Sequence, residues 1–434
     1  MNQITSRSLK IYTRALKNKW TGISQIPRLR YAPKEVVRLK EVYNPYGKYG
    51  LKRVINAATC LTRLGGSRPH PDVFKAMEDA SRAFIQIPAL QAWAGEKIAA
   101  ATGAEAGLPT AGAVNALTLA AAACMMKGTE LERYDPLGPS APPHIIQRLP
   151  MHTEGLKTEF VVQKSDRNTY DHAVECAGGR IVEAGTPEGT TVEELEAAYN
   201  PDITAAFYFT VRGSKKGLPL DTFMEVAHRN GVPVIVDAAP DLRPKKILTH
   251  YIEKGVDLIV YSGGKHLGGP NNTGILAGRK DLVKLAHLQA YPFDGIGRGA
   301  KMSRETIVGL VVALEKYLEK DDEALFKAWE KKAMWIAGQL SDIPGLNAGV
   351  TYEYTVEERE PMTPLAYVTL DEEAGMETKD LHARLKEGDP IIETLYEPSF
   401  LIDDYQGKLT INPEHMLEGD EAIVVERIKE ILTQ

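Results

Sequence analysis

The stretch PVIVDAAPDLRPKKILTHYIEKGVDLIVYSGGKHLGGP, residues 233–270, decides the fold. It carries two short apolar runs, Pro233–Asp237 and Asp257–Tyr261, the first closed by Asp237 and the second running into Ser262. Strands buried on both faces of a parallel sheet read as continuous apolar runs of this kind. Working outward, similar runs recur at Glu159–Lys164, Arg180–Ala184, Ala205–Thr210 and Thr273–Ala277. Helical patterns lie between them, near Gly112–Met126, Tyr170–Ala177, Val192–Tyr199 and Asp221–Asn230. This alternation predicts an α/β fold with a mostly parallel sheet and helices on both faces. Such sheets take ligands outside the carboxyl ends of their strands.

The pattern changes past residue 300. Glu305–Tyr317 and Leu325–Leu340 have helical spacing. Then LAYVTL, PIIETL and KLTIN have the look of strands, and Ala422–Leu432 of a closing helix. The expected organisation is a basic arm over residues 1–50 and a large α/β domain over 51–300. A linker helix and a smaller C-terminal α+β domain then fill 301–434.

With 434 residues, the chain has room for two or three domains. Hydrophobic residues make up 43% and charged residues 25%, which excludes a disordered chain, a collagen or a coiled coil. No apolar run is long enough to predict a membrane span. Cys60, Cys124 and Cys176 lack metal-ligand or redox spacing, so no metal is expected and each reads as a small buried hydrophobe. An odd, scattered set of cysteines suits a reducing, cytoplasmic setting. The net charge is −6, yet residues 1–40 hold ten Lys/Arg and one acid, Glu35. A basic arm with Leu9, Tyr12 and Leu16 at helical spacing can pack on a partner subunit, address an organelle or touch nucleic acid. Subunit packing is preferred, because an acidic body argues against a large nucleic-acid footprint.

The chemistry concentrates in Tyr261–Pro270, where Lys265 follows an apolar strand and is wrapped in glycines. A surface lysine needs no such wrapping; a lysine that meets a planar ligand needs close backbone approach, which glycine allows. The spacing is not that of a phosphate-binding P-loop. A Schiff base to an aldehyde cofactor fits better, since burial makes a lysine amine nucleophilic. Asp237, at a strand's carboxyl end, could partner the ring nitrogen of pyridoxal 5'-phosphate. Thr110, Ala111 and Gly112 open the long alanine-rich helix, and its free N–H groups suit a phosphate dianion. Ser262, three residues before Lys265, could add a hydroxyl. Tyr170 or His172 could stack on the ring; Tyr170 is preferred because it sits where the strand-to-helix turn meets the crevice.

Taken together, INAATCLTRLGGS (Ile55–Ser67), ATGAEAGLPTAGA (Ala101–Ala113), DRNTYDHA (Asp166–Ala173), VIVDAA (Val234–Ala239) and YSGGKHLGGP (Tyr261–Pro270) resemble one family. It is the selenocysteine-synthase-like branch of fold-type-I pyridoxal-phosphate enzymes, and within it the amino-sugar-acid ammonia-lyases. The resemblance covers roughly Tyr49 to Arg304 and loosens toward the end of the chain. It implies the aspartate-aminotransferase-like architecture, with a seven-stranded type of sheet. It also implies a homodimer or higher homo-oligomer with the active site at the subunit interface. Lys265 would be the cofactor lysine and Asp237 its ring-nitrogen partner, with Thr110–Gly112 and Ser262 on the phosphate. Arg298 matches a family position near substrate or a neighbouring subunit. Arg63 and Lys301 are further candidates for gripping an anionic, amino-acid-like substrate.

Departures from the family narrow the activity. The ~50 residues ahead of the match are short for the tRNA-binding domain of a selenocysteine synthase, so tRNA is not the expected substrate. Beyond Pro361 the only arginines are Arg384 and Arg427, both in helical patterns, which disfavours transamination. The expected activity is a pyridoxal-phosphate lyase that eliminates water from an amino acid or amino-sugar acid, leaving a 2-keto acid and ammonia. A selenocysteine-synthase-type transferase, an aldolase or a racemase would use the same Lys265 and Asp237.

Overall fold

The computed structural model describes residues 44–212, 216–396 and 407–433. The chain divides after Leu51 into two units. The basic arm, Arg7–Lys40, lies outside the described residues. Residues 44–51 contribute a turn and the short 3-10 helix Gly47–Tyr49. All that follows concerns Lys52 onward.

The first strand, β1 (Val54–Asn56), is separated from the main sheet by two helices, Pro71–Ser81 and Ile87–Thr102. The main sheet uses β2 (Ala106–Thr110), β3 (Glu159–Gln163), β4 (Arg180–Ala184), β5 (Thr204–Thr210), β6 (Val234–Asp237), β7 (Leu258–Ser262) and β8 (Gly274–Gly278). Their order is β2-β8-β7-β6-β5-β3-β4. Strands β3 to β7 pair in parallel, whereas β8 runs antiparallel between β7 and β2. The expected mostly parallel sheet is present, in a mixed seven-stranded form. The strand β2 escaped the sequence reading because Gly107 and Pro109 disguise it; proline is tolerated there because β2 is an edge.

Alternation along the central strands builds a core on each face. Tyr208, Ile235 and Val260 face the helix Ala113–Met126, which is apolar nearly all round and correspondingly buried. Phe207, Val234, Val236, Ile259 and Tyr261 face the opposite layer, with Phe223 and Leu310. Asp237 follows Val236 and so shares the face of Ile235 and Tyr208, the side of the long alanine-rich helix.

After the helices Arg304–Leu318 and Asp322–Leu340 comes a smaller sheet of β9 (Leu346–Tyr354), β10 (Pro361–Leu370) and, after the short β11 (Ile391–Glu393), β12 (Leu409–Ile411). It is antiparallel, ordered β12-β10-β9, and is covered by the helix Asp322–Leu340, against which Asp420–Leu432 packs. Here β1 finds its partner: Val54–Asn56 pairs in parallel with Ile391–Glu393, and Ile55 and Ala57 join this C-terminal core. The segment after β1 therefore starts at the smaller sheet and runs toward the large one. Among the described residues, no helix is long and apolar enough to cross a membrane.

Candidate active site

The site lies along the carboxyl ends of the parallel strands. Register places Thr110, Gly274 and Ser262 side by side across β2, β8 and β7. It likewise places Val260, Asp237 and Thr210 in one row across β7, β6 and β5. Lys265 follows three residues after Ser262. One sheet edge thus brings together Thr110–Gly112, Asp237, Ser262 and Lys265, residues spread over more than 150 positions of sequence.

The glycines before Lys265 are there for packing. The loop turns straight back into β8, with Gly263 N–H donating to the Thr273 carbonyl at 2.8 Å. A Cβ on Gly263 would lie 2.2 Å from Thr273 Oγ1, and one on Gly264 2.5 Å from the Asn271 Cα. Neither position accommodates a side chain, so Lys265 leaves a tightly folded, rigid support.

Burial lowers the affinity of Lys265 for its proton, and the nearby Asp237 charge opposes that shift. Asp237 is 6% exposed, and burial raises its pKa. The Ala239 N–H donates to its Oδ1 at 2.9 Å, and the Tyr208 hydroxyl sits 3.4 Å from its Oδ2. Each member of the Lys265–Asp237 pair is pushed toward neutrality by desolvation and held toward charge by the other. An amine in this state is nucleophilic, and an acid so placed can partner a protonated ring nitrogen.

The segment expected to hold a phosphate, Thr110–Gly112, has a physical basis for that role. Gly112 caps the helix Ala113–Met126 at φ +91°, with nothing within 4 Å of where a Cβ would stand. The first N–H groups of a helix have no partner within it. Thr110 is buried at that point and donates its hydroxyl to the Gly112 carbonyl at 3.1 Å. An open, backbone-lined helix start beside a buried lysine and a strand-end aspartate fits pyridoxal phosphate.

The remaining candidates are placed differently. Asn168 donates to Thr210 Oγ1, tying the segment before Tyr170 to the same sheet edge. Tyr170 is 51% exposed, and His172 is exposed with Nδ1 2.6 Å from the Thr169 carbonyl. The Arg63 segment docks on the lysine loop, where Ser67 N–H and Oγ both donate to the Gly264 carbonyl. The Arg63 guanidinium, however, pairs with Glu393. Arg298 lies over the Tyr291 ring and 3.5 Å from Asp294, and Lys301 is exposed. Of the cysteines, Cys60 and Cys124 are buried as expected, but Cys176 is exposed.

Sequence reasoning missed one wall of the site. A cavity of about 360 Å³ opens beside Lys265, lined by Arg68, Arg243, His266, Lys320, Trp329, Glu414 and His415, among others. Arg243 is buried, contacts Glu414 and His266, donates to Thr363 Oγ1 at 2.7 Å and lies 5.0 Å over the Trp329 ring. Burial works to raise the Glu414 carboxyl, but Arg243, with His415 and His266, outweighs it and holds the group well below the usual range. Burial and Arg243 together push His266 down to about 3. Lys320 donates to the His266 carbonyl at 2.8 Å, and burial lowers its pKa. Cys60 sits against His266 and His415, its thiol pushed up by burial. Arg243 and His266 lie within the 233–270 stretch that the sequence reading used, but neither drew notice there. Lys320, Trp329, Glu414 and His415 carry no local signal.

Comparison with known proteins bears on family and fold. The family model described as SelA, L-seryl-tRNA selenium transferase, matches residues 171–330. A D-glucosaminate-6-phosphate ammonia lyase of Salmonella typhimurium is 30% identical over 394 residues, covering 89% of this chain and 98% of that one. A 5'-C-glycyluridine monooxygenase-decarboxylase of Streptomyces is 31% identical over 397 residues, covering 89% and 92%. Among solved structures, a D-glucosaminate-6-phosphate ammonia-lyase superposes with a TM-score of 0.75 at 30% identity, covering 90% and 99%. A NifS-like protein at 16% identity and a TM-score of 0.53, covering 88% and 100%, shares the fold alone.

Proposed function

The chain belongs to the SelA family of pyridoxal-phosphate enzymes, and on that premise we propose that it is a lyase acting on an anionic amino acid or amino-sugar acid. The reaction is α,β-elimination, releasing water and then yielding a 2-keto acid and ammonia. The observation that carries the reading is the buried Lys265 amine, held on a glycine-tight loop beside the strand-end Asp237. The near full-length match to an ammonia lyase supports elimination as the reaction type.

In this reading Lys265 would hold the cofactor at its aldehyde carbon and Asp237 would partner the ring nitrogen. Thr110, Ala111, Gly112 and Ser262 would hold the phosphate, with Tyr170 or His172 over the ring. The bound cofactor supplies an electron sink for the carbanion formed at the substrate Cα. The Lys265 amine would take the Cα proton, and its proton affinity, lowered by burial, favours the neutral, proton-accepting form. Asp237, kept dry by burial, would partner the ring nitrogen away from water. The cavity beside Lys265 brings Arg68 and Lys320 to the substrate's anionic groups, with Arg63, Arg298 and Lys301 as outer candidates. The enzyme would work as a homodimer or higher homo-oligomer, covering exposed apolar side chains such as Phe84 and Ile85.

A second reading, oxidative decarboxylation, is favoured by the equally similar Streptomyces relative. One experiment separates the two. The purified holoenzyme is offered amino-sugar acids and β-hydroxy amino acids while ammonia, 2-keto acid and oxygen are followed. Elimination releases ammonia and keto acid without oxygen uptake; uptake of oxygen with loss of carbon dioxide would replace the lyase reading. Lys265→Ala should lose the visible band of the lysine-bound cofactor, and a retained band would sink both.

A further inference from the structure

Cys60, His266, Glu414 and His415 converge from three segments far apart in the chain. Cys60 follows β1, His266 follows Lys265, and Glu414 and His415 follow β12. Cys60 Sγ lies 3.5 Å from His266 Nδ1 and 3.0 Å from His415 Nε2. Glu414 closes the set, with Oε1 3.5 Å from His266 Nδ1 and Oε2 3.2 Å from His415 Nε2. The donor atoms of Cys60, His266 and Glu414 all lie within 4.8 Å of one another. Tetrahedral zinc has Zn–S near 2.3 Å and Zn–N or Zn–O about 2.0–2.2 Å, which spaces neighbouring donors by roughly 3.3–3.7 Å. The Cys60–His266–Glu414 set approaches that spacing, and His415 stands at its edge, in reach of Cys60 Sγ and Glu414 Oε2. Thiolate and imidazole select zinc and its soft relatives over magnesium or calcium.

We propose that Cys60, His266 and Glu414, with a small shift of the adjoining His415 as fourth donor, form a site for one thiophilic divalent cation of the zinc class. The cation and the Arg243–Glu414 pair exclude each other, because the Arg243 guanidinium now contacts both His266 Nδ1 and Glu414. That pair is imperfect: Glu414 Oε2 is buried without a well-formed hydrogen bond. Arg243 also has somewhere to go. It already donates to Thr363 Oγ1, on the side where the buried Glu353 offers a second carboxylate. The exchange balances in charge and protons. A dication replaces the guanidinium, the Cys60 thiol releases its proton to solvent, and thiolate, carboxylate and two neutral imidazoles leave the site uncharged overall. The site shares a cavity wall with Lys265, so the ion lies within electrostatic reach of that amine.

The test uses chelator-treated holoenzyme titrated with cobalt(II). A tetrahedral thiolate site gives ligand-field absorption at longer wavelength than the cofactor, saturating at one equivalent and reversed by zinc. Against a competing chelator, Cys60→Ser should bind zinc weaker by about 100-fold or more. Arg243→Met, where circular dichroism shows it folded, should bind zinc tighter by roughly tenfold, because a neighbouring cation is gone. The wild-type titration decides whether or not that variant folds. Absence of a one-equivalent cobalt spectrum overturns the proposal, as does a folded Cys60→Ser protein that binds zinc as tightly as wild type. A folded Arg243→Met protein that binds no tighter overturns the mutual exclusion.

Discussion

Gly66→Ala tests whether the segment after β1 holds the lysine loop in place. Gly66 has φ +75°, and a Cβ there would lie 2.2 Å from the Gly264 carbonyl oxygen and 2.6 Å from Asn271 Oδ1. Gly264 directly precedes Lys265, and its carbonyl accepts from Ser67 N–H at 2.9 Å and Ser67 Oγ at 3.1 Å. Gly65, one residue earlier, has φ +90° but nothing within 4 Å of its Cβ position. It is the internal control. Alanine at either position adopts a left-handed backbone, costing about 1–2 kcal/mol. At Gly66 the clash is with backbone, so the segment must also withdraw from the Gly264 carbonyl. That forfeits two hydrogen bonds, each about 0.5–1.5 kcal/mol. Gly65→Ala should therefore destabilise by about 1–2 kcal/mol and Gly66→Ala by roughly 2–5 kcal/mol. Denaturant midpoints of the two variants measure the difference, and the lysine-bound cofactor band reports on the loop. Gly66→Ala should lose much of that band and Gly65→Ala should keep it. Equal midpoints with equal bands would refute the idea that this segment positions Lys265.

Three further outcomes follow from buried charge. Burial pushes His287 down to about 4 from an ordinary 6.5, so the unfolded chain takes up a proton that the folded one refuses between those values. Stability should be level above pH 6.5 and fall by about 1.4 kcal/mol per unit toward pH 4 on this account, as denaturant midpoints against pH would show. His287→Gln should remove that share of the slope. Arg243→Ala strands the buried Glu414 without its cation and should destabilise by about 3–5 kcal/mol; an unchanged denaturant midpoint would mean the pair is screened. Asp237→Asn should leave fold and cofactor band in place but lower turnover by about 100-fold or more, read from steady-state ammonia release.

The parts of this fold legible in the sequence are those governed by local rules. Val234–Asp237 and Leu258–Ser262 are buried on both faces, so their apolar runs are continuous, and the expected bounds differ from the observed ones by a residue. The helix Ala113–Met126 announced itself by being apolar all round. The edge strand Ala106–Thr110 did not, because only its pairing with β8 makes AGLPT a strand. The pairing of Val54–Asn56 with Ile391–Glu393 is equally invisible, since it joins positions more than 330 residues apart. Within the site, Lys265 and Asp237 stood out because tight glycine packing and a strand-end carboxylate leave local traces. The pairing of Arg63 with Glu393 left none, which is why its charge read as free for substrate.

That division bears on what sets the reaction. Two relatives of about 30% identity, each matched over more than nine-tenths of its own length, carry the names of different chemistries, an ammonia lyase and a monooxygenase-decarboxylase. On the proposed roles, a lysine that moves a proton and an aspartate that partners a ring nitrogen would serve both, so those two residues would not select between them. Selection falls to whatever orients the bond to be broken and controls water, oxygen and charge around it. In this chain the proposed place for that is the cavity wall of Arg243, His266, Lys320, Glu414 and His415, assembled from both sheets and the helix linker. Arg243 links that wall through its contacts with Glu414, His266, Thr363 and Trp329. Substitutions there should therefore alter which products form more than whether the cofactor binds, whereas Lys265 and Asp237 substitutions should lower every product together.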